Sequence, residues 1–149
     1  MRLLIQRVSQ AKVTVAGETT GEIGRGLLVF LGVASDDTEV ICDEYAGKIT
    51  RLRIFEDDDA KMNLDINEVH GSILIVSQFT LYGDTRKGNR PSFTAAAKAE
   101  PAERLYRRFI AKLQELLGID RVREGRFGAM MDVELTNDGP VTIWIDNCL

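Results

Sequence analysis

The chain has 149 residues, 44% of them hydrophobic, a formal net charge of -4 and two cysteines. That is about one domain, with enough apolar content for a sizeable core without metal or disulfide staples. The acidic balance argues against coating a long nucleic acid such as DNA, because such binding rests on many phosphate neutralisations.

Cys42 and Cys148 lack the paired spacing of a zinc or redox site and read as reduced thiols of a cytoplasmic protein. The apolar start of MRLLIQRVSQ is broken at Gln6 and Arg7, so it is neither a signal core nor a membrane span. Residues 2 to 8 and 12 to 16 carry aliphatic residues at strand length. With the turn signal Ala16-Gly17-Glu18 they read as strands able to pair as a hairpin. GLLVFLGVA, residues 26 to 34, is an unbroken apolar run, the pattern of a strand buried on both faces. Asp36 can then cap a helix with Ile41, Tyr45, Ile49 and Leu52 on one side, and that helix should cover a sheet. The acidic run at 56 to 59 reads as a solvated turn, since no further carboxylate or histidine converges on it in sequence.

SILIVSQFTL, residues 72 to 81, reads as a second buried strand that turns polar at its C-terminal end, where ligands of mixed sheets commonly bind. A basic loop with Arg86, Lys87 and Arg90 follows. Pro101, the stripe Leu105, Phe109, Leu113 and Leu116, and a closing Gly118 describe an amphipathic helix. Its Arg104, Arg107, Arg108 and Lys112 make either a solvated face or a contact for RNA or another anion. Residues 129 to 136 and 141 to 146 are two more strand-like runs, joined by Asn137-Asp138-Gly139-Pro140. Nothing divides the chain, so residues 1 to 149 read as a single α/β domain with two helices packed on a mixed sheet.

The chemical inventory is narrow. The single histidine, His70, sits in a turn-like VHG and could reach Ser77 only across the length of a strand, which sets aside a Ser-His-acid triad. Paired catalytic carboxylates, a Walker loop, GxGxxG and zinc-ligand clusters are missing. An enzyme built on this chain must lean on backbone donors and on the substrate itself. Ser77, Gln78 and Thr80 either satisfy buried backbone groups at a strand end or shape such a site, with amides around Phe79 and Thr80 free to meet a ligand. In NDGPVT, Asp138-Gly139 favours a hairpin but Pro140 removes a ladder donor, so a tight two-residue hairpin does not fit. An X-Pro bond in such a turn is also where a cis peptide is tolerated.

SQFTL at 77 to 81 and NDGPVT at 137 to 142 together resemble the two signature motifs of the D-aminoacyl-tRNA deacylases, once called D-tyrosyl-tRNA deacylases. LIQRVSQAKVTV, KMNL at 61 to 64 and GNRPSF at 88 to 93 are similar to the same family, so the likeness spans essentially the whole chain. The resemblance implies an α/β fold with a mixed, largely antiparallel sheet or barrel-like sheets and two main helices packed outside. It implies a homodimer that hydrolyses the ester joining a D-amino acid to the 3'-terminal adenosine of tRNA, with no metal or organic cofactor. It also implies that Gly139-Pro140 is cis and inserted into the partner's pocket, that Arg7 helps to hold that motif, and that Phe127 and Met131 line the adenosine pocket. Ser77, Gln78, Phe79 and Thr80 would then form the catalytic stretch, with the backbone as oxyanion site. Thr80 is either a nucleophile or only an amide donor, and the absence of a base favours the second. Two rivals stay open: a non-catalytic module holding an RNA end through Arg86, Lys87 and Arg90, and a Ser/Thr esterase of small acyl substrates.

Overall fold

The computed structural model describes residues 1–146. The chain opens with β1 (Arg2–Val15), a 14-residue strand rather than two short ones. The polar pair Ser9 and Gln10 does not break it, because a shift of register against the last strand absorbs them. Ala16 and Gly17, both at positive φ (50° and 82°), turn the chain into β2 (Glu18–Ile23) as a hairpin. The apolar run becomes β3 (Gly26–Gly32), buried along nearly its whole length.

Helix α1 (Glu39–Thr50) is capped by the Thr38 hydroxyl, which accepts from Ile41 N at 3.3 Å, and not by Asp36. Leu52 lies beyond its end. A small hairpin of β4 (Phe55–Glu56) and β5 (Met62–Leu64) follows. Glu56 thus belongs to a strand, and Asp57 folds the connecting turn by accepting from the amides of Asp59 and Lys61. Those bonds, the Lys61 amide first, hold the Asp57 carboxyl below its ordinary pKa.

β6 (Ser72–Ser77) ends where its sequence turns polar, so the expected strand over 72 to 81 is shortened; a 3₁₀ helix (Phe79–Tyr82) takes over. Helix α2 (Ala99–Leu117) buries Leu105, Phe109 and Leu113 together with Tyr106, Ile110 and Leu117. Leu116 is 41% exposed whereas Leu117 is 8% exposed, so the apolar stripe ends one residue later than expected. The cations of α2 are occupied: Arg104 and Arg108 pair with Glu39, Arg108 also with Asp43, and Arg107 with Glu124. The Arg108 hydrogen bond lowers the Asp43 pKa. After β7 (Val122–Glu124), the two expected C-terminal runs prove to be one strand, β8 (Asp132–Asp146). Cys148 lies outside the described residues.

The strands form one six-stranded sheet in the order β2-β1-β3-β6-β7, with β8 along the other edge of β1. Among the described residues only β3-β6 and β6-β7 are parallel. The sheet curls until β2 approaches β7, so closely that a Cβ at Gly21 would stand 2.5 Å from Glu124 O. A near-barrel results, with one core between its outer face and the two helices and a second, around Val13, Leu28 and Leu74, inside the curl. No helix of the described residues is long and apolar enough to cross a membrane.

Candidate active site

The parallel strands β3 and β6 end side by side, with Leu31 opposite Ser77. The pairing closes with Gln78 N donating to Leu31 O at 2.8 Å, after which the chain coils into the 3₁₀ turn. The first amides of such a turn precede its first internal hydrogen bond. Those of Phe79 and Thr80 meet no acceptor among the described residues. The Thr80 hydroxyl accepts a hydrogen bond from the Gln78 side-chain amide, which holds both groups beside these donors. His70 precedes the opposite end of β6, roughly 16 Å away by strand rise, and cannot serve here.

Beside this turn opens a cavity of about 630 Å³. Ser77 to Thr80 form one wall, Phe127 and Met131 from the β7–β8 connection another, and Ala97 and Ala102 a third. Tyr106 braces Phe127 at 5.4 Å between ring centroids, and its hydroxyl donates to Ile75 O at 3.2 Å. Burial raises the Tyr106 pKa, so this hydroxyl stays protonated. No carboxylate, histidine or lysine lines the cavity among the described residues, and none of them forms a cluster fit for a metal ion. Among the described residues the polar lining consists of main-chain groups, the hydroxyls of Ser77, Thr80 and Tyr106, and the Gln78 carboxamide.

Gly139, Pro140 and Arg7 do not join this wall. Across from Arg7, four residues of β8, 138 to 141, loop out between the pairs Gln6–Thr142 and Val8–Asn137. The Asn137 side-chain amide donates to Arg7 O at 2.9 Å and to Val141 O at 3.0 Å, closing the base of the loop. Beneath it, Arg7 is 3% exposed. Its Nε donates to Asp138 O at 3.1 Å, its Nη1 to Ile54 O at 2.7 Å, and Glu56 stands 3.7 Å from Nη2. A buried guanidinium is tolerated only with such partners, and here they make it a strut. The Gly139-Pro140 peptide is cis and the pair is exposed at the tip. Gly139 has φ +124°, and a Cβ there would stand 2.8 Å from Arg7 Nη2. Within one chain, then, the expected residues form two constellations: a cavity bearing free amides, and a braced, exposed main-chain corner.

Two contributors were not singled out in the sequence. Tyr106 sits on the apolar stripe of α2, where an aromatic residue reads as core. Asn137 reads as part of a turn, and its place opposite Arg7 depends on a strand pairing that no local pattern specifies.

The model of the family described as D-Tyr-tRNA(Tyr) deacylase matches residues 4–146. A D-aminoacyl-tRNA deacylase of Thermotoga petrophila is 55% identical over 147 residues, which is 99% of this chain and 97% of that protein. One of Symbiobacterium thermophilum is 54% identical, over 99% of this chain and 96% of that protein. Among solved structures, a c-Myc DNA unwinding element binding protein superposes with a TM-score of 0.93 at 41% identity, over 98% of each chain. A probable eukaryotic D-amino acid tRNA deacylase shares the fold with a TM-score of 0.85 at 22% identity, over 97% of each chain.

Proposed function

The chain belongs to the D-Tyr-tRNA(Tyr) deacylase family, and from that premise we propose that it hydrolyses the ester between a D-amino acid and the 3'-terminal adenosine of tRNA, a proofreading reaction of translation. The observation that carries this reading is the pair of amides at Phe79 and Thr80, which meet no acceptor among the described residues and belong to the wall of a cavity that none of those residues lines with a base. Such a site suits a substrate that is already reactive and brings its own hydroxyl.

Water adds to the ester carbonyl carbon, one of its protons passing by way of the ribose 2'-hydroxyl to solvent, and the two amides hold the resulting oxyanion. The bond to the ribose 3'-oxygen then breaks, the remaining proton of the added water passes to that oxygen, and the amino acid leaves as its carboxylate. One oxyanion donor is worth about 10² to 10³ in rate, and a neighbouring hydroxyl can reach effective molarities of roughly 10⁵ M. The ribose 2'-hydroxyl fills the second role. Thr80 acts through its amide, because its hydroxyl accepts from Gln78 and no group near it can take its proton. Phe127 and Met131 hold the adenosine.

Chirality is sorted by main chain. The braced Gly139-Pro140 corner of a second copy enters the cavity, its carbonyls toward the substrate amino group, leaving room at the α-carbon for hydrogen but not for an L side chain. The exposure of the corner and its clamps at Arg7 and Asn137 support this arrangement. Glycine, with hydrogen on both sides, escapes exclusion. Assays of D-Tyr-, L-Tyr- and Gly-tRNA in parallel should show rapid cleavage of the first and third and background rates for the second. Rapid cleavage of the L-ester would refute the proposal.

A second reading comes from the neighbour named for a DNA unwinding element. It predicts DNA binding without ester hydrolysis, and the acidic net charge counts against it.

A further inference from the structure

The segment after the 3₁₀ turn is closed on itself once and fastened to the cavity at two places. Phe93 packs edge-on against Phe79 with centroids 5.1 Å apart. Asp84 and Ser92 exchange backbone hydrogen bonds of 2.8 and 2.9 Å, which folds 84 to 92 into a closed loop. Ala97 N donates to Val33 O at 2.8 Å, and both residues line the cavity. Residues 81 to 100 hold four cations, Arg86, Lys87, Arg90 and Lys98, against the two carboxylates Asp84 and Glu100, in a chain of net charge -4. Arg86 is neutralised by a two-pronged contact with Asp84, at 2.9 and 2.6 Å. Lys87, Arg90 and Lys98 are exposed and make no ion pair among the described residues. Lys98 stands between two lining residues, Ala97 and Ala99. The cations Lys48, Arg51 and Lys61 also make no ion pair among the described residues, but α1 and the β4–β5 hairpin contribute nothing to the cavity lining. Positive charge is thus left uncompensated on the segment that joins two walls of the cavity, Thr80 and Ala97, while the cations of α2 are consumed by carboxylates.

We propose that Lys87, Arg90 and Lys98 form a phosphate clamp at the cavity mouth that grips the single-stranded 3' end of the tRNA whose terminal adenosine occupies the cavity. The proposal rests on the deacylase reading and deepens it, since a nucleotide ester seated among Ser77, Phe127 and Met131 must trail its preceding phosphates across the rim. Compact ammonium and guanidinium groups on exposed stems bind such phosphates without reading sequence. The loop's attachment through Phe93 places the grip on the chain segment that carries the oxyanion amides.

The test measures hydrolysis of D-tyrosyl-tRNA and of D-tyrosyl-adenosine, which lacks those phosphates, between about 50 and 200 mM salt. The proteins are the wild type, a Lys87→Ala/Arg90→Ala/Lys98→Ala variant, and a Lys48→Ala/Arg51→Ala/Lys61→Ala variant of equal charge change. With single-strand contacts contributing about 0.7 each, the first variant should flatten the slope of log kcat/KM against log salt on tRNA by about 2. Its KM for tRNA should rise about tenfold or more, while kcat and the rate on D-tyrosyl-adenosine stay unchanged and the second variant behaves as wild type. Wild-type slope and KM in the first variant, or an equal effect in the second, would overturn the clamp alone. A wild-type protein that cleaves neither substrate would overturn the deacylase reading and the clamp with it.

Discussion

Gly139 is the residue on which the main-chain corner depends. Its φ of +124° and a Cβ position 2.8 Å from both Arg7 Nη2 and Val141 Cγ2 leave no room for a side chain. Gly139→Ala should therefore displace the corner and abolish selective cleavage of D-Tyr-tRNA, with global unfolding shifted far less, as followed by thermal melting. Thr80→Ala keeps the backbone donor and should retain D-Tyr-tRNA hydrolysis within about tenfold of wild type. A trapped acyl adduct on Thr80 would assign it the nucleophile's role instead. Cys42 is fully buried, its thiol donates to Leu105 O at 3.3 Å, and burial pushes its pKa up to about 12. Mass spectrometry after iodoacetamide treatment of the native protein at neutral pH should find it unmodified. Asp84 is held down to about 2 by the Arg86 side chain. The folded pKa is depressed, so its contribution is complete above the ordinary carboxylate range and fades as pH falls through about 2. NMR titration should find this carboxyl still ionised at about pH 3.

At the scale of the element, the end of α2 offers a sharp contrast between neighbours. Leu117→Ala empties core volume and should cost about 2 to 5 kcal/mol in denaturant unfolding, whereas Leu116→Ala on the exposed side should stay within about 0.5 kcal/mol. Both helices, the two buried strands and the polar exit after Ser77 were legible, because 3.6-residue periodicity and unbroken apolar runs are local signals. The unity of β1 and β8 was not. Ser9, Gln10 and the Asn137-Pro140 stretch break alternation, and a bulge within a strand looks the same in sequence as a turn between two. The site divided in the same way. SQFT and NDGP stood out because hydroxyls close an apolar run in one and proline follows glycine between strands in the other. The clamp at Asn137 and the cavity wall at Tyr106 required pairing and packing that bring distant positions together.

At the scale of the molecule, the near-closed sheet sets the cavity at the ends of β3 and β6 and the corner on β8, the strand bordering the opposite edge of β1. Closure relies on Gly21, so Gly21→Val should prise β2 from β7 and destabilise the fold, read as a lower melting temperature. The proposed meeting of one copy's corner with another copy's cavity is tested by co-assembly of two defective chains. One chain carries Gly139→Ala, which spoils the corner; the other carries Ala129→Trp, which fills the cavity that Ala129 lines. Neither alone should cleave D-Tyr-tRNA selectively. In the mixed assembly the intact corner of the second chain meets the open cavity of the first, so D-selective hydrolysis should return at about half the wild-type rate per pair of chains. Failure of the mixture to recover any D-selective hydrolysis would contradict a corner that works on its neighbour's cavity.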